Sequence, residues 1–284
     1  IMADLLYHYT SMTTLHAILD EVTGDTLTLR ATGIKYLNDS KEYNLALEIL
    51  RDLLIEFDES DKCVNKKDLR NRLTIERMGF LKEFNADLMP PFIVSLSEEQ
   101  DSLPMWNTYG DNSLGVAIGF KNIKELTNNN ILLKKCEYDY ESVKEKLINK
   151  IVSIHSSLFF DDKNFLGIIR DIDSEVYTFF EGIVSSLKDS AFKYENEWRF
   201  IVKQEYDFKL LKFNVTNGLP KPYIEFPLDI SYIDEIVIGP CANFDLAKGS
   251  LFMMLKKVGI TPTFEGVEEG KVNIKASKCP YRTI

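Results

Sequence analysis

The order of strand-like and helix-like segments is the strongest constraint that this sequence places on its fold. Strand-length apolar segments lie near the start (LLYHY, 5–9), in the middle (FIVSLS, 92–97) and towards the end (IDEIVIGP, 233–240). Two blocks with helical spacing of apolar residues, at about 40–89 and about 141–190, lie between them. Regular strand–helix alternation and glycine-rich phosphate loops are absent, so a doubly wound nucleotide-binding fold has no support. The sequence predicts an α+β fold.

Local signals place further elements along the chain. Thr10 or Ser11 caps a helix over 11–19, Asp39 or Ser40 begins the helix of the first block, and Gly110 ends a short helix or turn that begins near 102. The remaining segments are strands at 26–31, at 113–120 with a neighbour at 131–139, at 193–202, at 223–227 and from 261, and a helix at 242–258.

Composition limits the class of protein. The chain has 284 residues, of which 45% are hydrophobic, so one domain over residues 1–284 with a sizeable core is expected. With 34 basic and 44 acidic residues the net charge is −10, so any contact with RNA or DNA requires a local basic patch. The dispersed cysteines and three histidines predict free thiols and no metal site.

The sequence also predicts a cytoplasmic location. No apolar run reaches the roughly 20 residues that a membrane-spanning helix needs. The start, IMADLLY, lacks the basic region and the apolar core of a secretory signal peptide. We therefore expect no membrane association.

Three polar motifs are candidates for chemistry, and the first is LYHYT. On a strand, His8 and Thr10 lie on one side, with Tyr7 and Tyr9 on the other. A histidine with a local hydrogen bond is the simpler interpretation of this motif. A catalytic or binding role for His8, Tyr9 and Thr10 is the alternative.

The second motif is FIVSLSEEQDSLPMWNTYG. Ser95 and Ser97 share one face of a strand, which predicts either a solvated edge or a polar pocket. Met105 and Trp106 suit the core over the sheet. Alternatively, Trp106 and Tyr109 stack on a flat heterocycle.

The third motif is KYENEWRF, in which Glu195, Glu197 and Arg199 share one face if the segment is a strand. A solvated row of ion pairs is one interpretation. The other is chemical, because two neighbouring carboxylates take different pKa values, and because glycosyl transfer needs a carboxylate beside a cationic sugar.

Taken together, HYT, SLS, MWxxYG and the late ENEWR resemble an uncharacterised bacterial family over most of the chain. That family in turn resembles a divergent branch of the ADP-ribosyltransferase superfamily. The resemblance implies a split, mixed or antiparallel sheet that binds NAD+, with the two helical blocks as insertions.

The resemblance also implies roles for individual residues. His8 would hold a ribose hydroxyl of NAD+, with Tyr9, Thr10, Ser95 and Ser97 beside it. Glu197 would be the catalytic glutamate, and Glu195 the preceding glutamate that orients the acceptor. Trp106 or Tyr109 would stack on nicotinamide, and Arg30 would pair with a phosphate. Positioning and electrostatics carry such a reaction, and no metal is required.

We therefore expect an NAD+-dependent ADP-ribosyltransferase that acts as a bacterial toxin or antiphage effector. RNA is the favoured acceptor, with protein or DNA as alternatives, and the resemblance allows for an antitoxin or chaperone partner. Two other functions stay open at this point. One is a nucleotide-sensing module without catalysis, and the other is a metal-independent RNase that uses His8, Glu197 and Arg199.

Overall fold

The fold is built on one large mixed sheet. The computed structural model describes residues 5–38, 91–128, 130–158, 175–203, 208–216, 218–263 and 272–281. The strands are β1 (Leu5–Thr10), β2 (Thr26–Gly33), β3 (Phe92–Ser97), β4 (Val116–Lys121), β5 (Ile131–Lys135), β6 (Glu197–Val202), β7 (Lys212–Thr216), β8 (Leu219–Asp229), β9 (Ile233–Ile238), β10 (Pro262–Thr263) and β11 (Val272–Ala276). The helices are α1 (Met12–Asp20), α2 (Leu103–Tyr109), α3 (Tyr140–Leu158), α4 (Glu175–Val184) and α5 (Phe244–Lys257).

The sheet branches at β3. Its main path runs β10-β11-β9-β4-β1-β3-β2-β8-β7, and β6 and β5 extend it separately from β3. The contacts of β11 with β9 and β10 are parallel, whereas the other strand pairs are antiparallel. The predicted α+β class with a mixed sheet is therefore confirmed.

The sheet splits along one side of β3. Along its other side β3 pairs with β6 from Phe92 to Ser97. On the split side it pairs with β2 only at Phe92 and Ile93, and with β1 only at Ser97. The strands β1 and β2 therefore diverge, and the middle of β3 lies between them.

The two faces of the sheet differ in what covers them. On one face Leu6, Leu96 and Phe200 pack with apolar residues of α1 and α5 in the main core. On the opposite face Tyr7 and Tyr9 pack with residues of α2. This pattern follows the predicted alternation in LYHYT, because successive side chains of a strand point to opposite faces.

Local signals placed several elements correctly. Ser11 caps α1, since its Oγ accepts a 2.9 Å hydrogen bond from the amide of Thr14. The strand at 92–97 and the short helix that ends at Gly110 are confirmed. The second helical block contains α3 and α4. The first block, at about 40–89, including its Asp39 or Ser40 cap, lies outside the described residues.

Two predictions of local structure were wrong, and two strands were not predicted. The strand at 131–135 pairs with β6 and not with β4. Residues 190–195 form a 3-10 helix, so only 197–202 of the segment predicted at 193–202 are a strand. Asn196 separates the two with a left-handed φ of 41°, a conformation that asparagine tolerates better than most residues. The strands β7 and β11 were not predicted, since each is only five residues long and has just two large apolar side chains.

Candidate functional site

A cleft of about 340 Å³ lies at the split of the sheet. Its walls come from β1, β2, β3, β6, α2 and the hairpin of β7 and β8. Most of the predicted site residues line it, namely His8, Tyr9, Arg30, Ser95, Tyr109, Glu195 and Glu197. The structure therefore brings residues that are far apart in the sequence into one concave site.

Thr10, Ser97 and Trp106 do not line this cleft. Trp106 has no exposed surface, and its Nε1 donates a 2.7 Å hydrogen bond to Oδ1 of Asp101. Its ring meets that of Tyr9 edge to face at 4.8 Å. The stacking role predicted for Trp106 is thus corrected, because this indole is part of the core.

Ser97 and Thr10 have structural positions. The hydroxyl of Ser97 donates to the carbonyl oxygen of Glu195 at 2.6 Å and accepts from the amide of Glu99 at 2.9 Å. Ser97 has no exposed surface, and Thr10 is buried at the end of β1. The binding roles predicted for these two residues are therefore corrected, and Ser95 alone of the two serines faces the cleft.

His8 bridges the gap between β1 and β3. Its Nδ1 lies 3.0 Å from the carbonyl oxygen of Ser95, in the part of β3 where the ladder to β1 is missing. Because a carbonyl can only accept, Nδ1 carries the proton. Burial lowers the pKa of His8, although the Ser95 carbonyl opposes this shift. The ring is then neutral near pH 7, and its Nε2 can accept a hydrogen bond from a hydroxyl group.

Four buried charged side chains form the base of the cleft, and we call Lys188, Glu195, Glu197 and Arg199 the charge quartet. Lys188 Nζ lies 2.5 Å from Oε2 of Glu195 and 2.8 Å from Oε2 of Glu197. Arg199 donates from Nε and Nη2 to the two oxygens of Glu197, each at 3.0 Å. All four residues are at most 4% exposed, so the row of ion pairs is not solvated, and its formal charges cancel.

The surroundings of the charge quartet keep Glu197 ionised. Burial would raise the pKa of Glu197, but Arg199 and Lys188 hold it at about 2. The hydroxyl of Tyr109 donates to Oε1 of Glu195 at 3.0 Å, and burial raises the pKa of Tyr109. The site therefore contains a Glu197 that is negative at physiological pH, with a phenol and a second carboxylate beside it.

Sequence reasoning missed Lys188. This residue follows α4, and its amide bonds to the carbonyl of Glu137 at 2.9 Å, which fixes the segment beside β5 and β6. A lysine next to a turn gives no signal of burial in the sequence, because lysine is almost never fully buried without a partner. The only indirect indication of a buried cation was the pair of carboxylates in ENEWR, because buried carboxylates need compensating cations.

The mouth of the cleft is polar and partly basic. Arg30 lies 5.1 Å from the ring centre of Tyr223 and forms a 3.9 Å ion pair with Glu21. Lys221, Asn214 and Thr216 complete the rim on the β7–β8 hairpin, and sequence reasoning missed these residues too. Within the described ranges, no group of three or more His, Cys, Asp or Glu side chains suits a metal ion.

A model of an uncharacterised protein family matches part of this chain. A family model described as "Protein of unknown function (DUF2971)" matches residues 105–200. The matched segment contains Tyr109 and the charge quartet, whereas β1 and β3 lie before it in the chain and are not matched. No curated protein and no solved structure matches the chain, so its relationship to ADP-ribosyltransferases stays a prediction. In the described part of the chain, no helix is long and apolar enough to cross a membrane.

Proposed function

We propose that this chain is an NAD+-dependent ADP-ribosyltransferase whose acceptor is a macromolecule, with RNA favoured. The observation that carries the proposal is that His8 and Glu197 line one cleft, although they come from β1 and β6 on opposite sides of β3. A bacterial toxin or antiphage effector held by an antitoxin or chaperone is the biological role that the sequence resemblance suggests.

The residues of the cleft fit the chemistry of such a transfer. Breaking the bond between nicotinamide and ribose leaves a cationic sugar, which a fixed carboxylate stabilises. Glu197 is such a carboxylate, since its pKa of about 2 keeps it charged at any physiological pH. The neutral ring of His8 offers Nε2 to a ribose hydroxyl, and Tyr109 offers an aromatic ring at the same wall. The volume of about 340 Å³ lies within the range of small-molecule sites.

A movement of Lys188 would free an oxygen of Glu197 for contact with the substrate. In the structure Lys188 and Arg199 engage both oxygens of Glu197. Lys188 also binds Glu195, so it can keep a buried counter-charge when a substrate hydroxyl takes its place at Oε2 of Glu197. We therefore expect Lys188 to turn towards Glu195 when the cleft is filled.

The same contacts favour a second candidate, a module that binds a nucleotide without consuming it. The charges of the quartet cancel, so the negative potential that Glu197 presents to a cationic sugar is reduced. In this case NAD+ or a related nucleotide would bind in the cleft and remain intact.

The deciding experiment uses NAD+ labelled on the adenylate phosphate. Purified protein is incubated with cellular RNA, with lysate protein or with no acceptor. Wild type is compared with Glu197→Gln, which keeps the shape of the side chain and removes its charge. Glu225→Gln is the matched control, because Glu225 is an exposed glutamate that pairs with a surface lysine, Lys212.

The proposal predicts label transfer by wild type and by Glu225→Gln, and a loss of about 100-fold or more in Glu197→Gln. Binding of NAD+ without release of nicotinamide in any tube overturns the transferase and supports the sensing module. Cleavage of RNA without NAD+ would instead support the RNase hypothesis. Circular dichroism of each variant shows whether a loss of activity is a loss of folding.

A further inference from the structure

In the part of the chain that the structure describes, the strand β7 is an uncovered edge of the sheet. It ends the main strand path, and among the described residues it pairs with β8 alone. Every residue from Lys212 to Thr216 is exposed. Proteins usually protect such edges, because a row of free backbone groups can pair with another strand. An exposed edge strand with apolar side chains therefore calls for a partner.

The side chains of β7 alternate between two surfaces. Phe213 and Val215 are 60% and 68% exposed, and they pair with Pro222 and Pro220 of β8. These prolines lie on the same face of β8 as the buried core residue Ile224, because alternate residues of a strand share a face. Phe213 and Val215 therefore lie on the face of the main core. Asn214 and Thr216 point the other way and line the cleft. A strand added at this edge would thus continue both the apolar face and the wall of the cleft.

The prolines of β8 show which backbone groups of β7 are available. A proline has no amide hydrogen, so Pro220 and Pro222 occupy ladder positions at which the two strands exchange no hydrogen bonds. Phe213 and Val215 lie opposite them. The amide and carbonyl groups of Phe213 and Val215 therefore point to the free edge, where an incoming strand can bind them.

We propose that β7 pairs with β7 of a second copy of this chain, antiparallel and centred on Asn214. In this register Phe213 faces Val215 of the partner subunit, and Lys212 faces Thr216 of the partner subunit. Apolar residues meet apolar residues, and no two lysines face each other. A shift by one residue would place Phe213 opposite Asn214 of the partner subunit, which mixes the two surfaces and is disfavoured.

Such a pair has two-fold symmetry and makes one sheet through both subunits. Because Thr216 lines the cleft, the partner subunit's Lys212 would lie beside the rim and add a cation there. This inference goes beyond the proposed function and does not depend on it. A single ladder of this length is a small interface, so we expect a dimer of about micromolar affinity or weaker.

An engineered disulfide tests the register. Asn214 would face Asn214 of the partner subunit in a pair without hydrogen bonds, where Cα atoms lie about 4.5 Å apart, within the range of a disulfide. Asn214→Cys is therefore expected to form a covalent dimer under mild oxidation. Lys212→Cys is the matched control on the same strand and face, and should cross-link at least about tenfold more slowly, since its partner in this register is Thr216. Wild type reports any cross-linking by the native cysteines.

Sedimentation velocity over a range of protein concentrations tests the dimer without oxidation. Wild type is expected to shift towards a dimer as concentration rises, and Phe213→Lys to stay monomeric. Met253→Lys, a substitution of an equally exposed apolar residue on α5, should behave like wild type. A wild type that stays monomeric, equal cross-linking of the two cysteine variants, or a dimer that Phe213→Lys does not weaken overturns the inference. A monomer would leave the edge to a strand from another protein.

Discussion

Lys188 and Glu197 form an ion pair of 2.8 Å at the base of the cleft, and the side chain of each is only 5% exposed. The pair connects the segment after α4 to the first residue of β6. Arg199 and Glu195 complete the compensation of charge around it. Because a buried charge is costly without its partner, each member of the charge quartet depends on the others.

Removing Lys188 should therefore be strongly destabilising. Lys188→Met leaves Glu195 buried with Tyr109 as its remaining side-chain partner, and we expect a loss of about 3–5 kcal/mol in the free energy of unfolding. Denaturant titration measures this loss. Lys257→Met is the matched control, since its ion pair with Asp20 is exposed to solvent and should contribute little to stability.

The double variant Lys188→Met/Glu195→Gln identifies the cause of that loss. It removes one charge of each sign, and so it should recover much of the stability that Lys188→Met loses. If the double variant instead loses as much free energy of unfolding as Lys188→Met and Glu195→Gln lose together, the charge quartet does not act as a coupled group.

Acid should weaken the fold through Glu197. The pKa of Glu197 is about 2 in the folded chain, where Arg199 and Lys188 outweigh the effect of burial, against an ordinary value of 4.5. A lowered carboxyl pKa stabilises the fold above pH 4.5, and this contribution, about 3 kcal/mol, is lost as pH falls towards 2. Free energies of unfolding at several pH values between 2 and 7 measure the loss.

Comparison of two glutamine variants assigns this acid dependence. Glu197→Gln should show a smaller decrease in stability over that pH range than wild type. Glu225→Gln changes an exposed carboxylate and should keep the decrease of wild type. Equal decreases in wild type and both variants would contradict the role given to Glu197.

Much of the fold and part of the site followed from the sequence, for identifiable reasons. Alternation in FIVSLS and LYHYT is local, and so it predicted β1, β3 and the faces of their residues. The pairing of β5 with β6 depends on contacts between residues far apart in the chain, which periodicity does not encode. Glu195 joined the charge quartet although it lies in a 3-10 helix, because Lys188 reaches both carboxylates. That lysine was recognisable only from the assembled structure.

Stability should also decrease below pH 6.5 because of His8. Burial lowers the pKa of His8, so the unfolded chain binds a proton that the folded chain does not. The contribution of His8 to the free energy of unfolding is complete above pH 6.5, the ordinary pKa of histidine. It decreases as pH falls below that value, by at most about 1.4 kcal/mol per pH unit. His8→Asn removes the titrating group and keeps a donor for the Ser95 carbonyl, so its stability should change less between pH 7.5 and 5.5.

The control for His8 is His16→Asn, because the His16 side chain is 58% exposed on α1 and contacts Asp20 at its surface. This variant should follow wild type between pH 7.5 and 5.5. If His8→Asn and wild type lose the same free energy of unfolding over that range, His8 is not the group responsible.

Two glycines should respond to alanine in opposite directions. A Cβ atom at Gly115 would overlap the carbonyl oxygen of Thr10, where the end of β1 pairs with the start of β4. Backbone cannot move aside there without disturbing β1 and thus His8, so Gly115→Ala should cost about 1–3 kcal/mol or more. Gly249 lies inside α5 with open space around it, and Gly249→Ala should stabilise the chain by about 0.5–1 kcal/mol. Thermal unfolding of both variants measures the two effects, and a stable Gly115→Ala variant would mean that β1 and β4 are less closely joined than this packing requires.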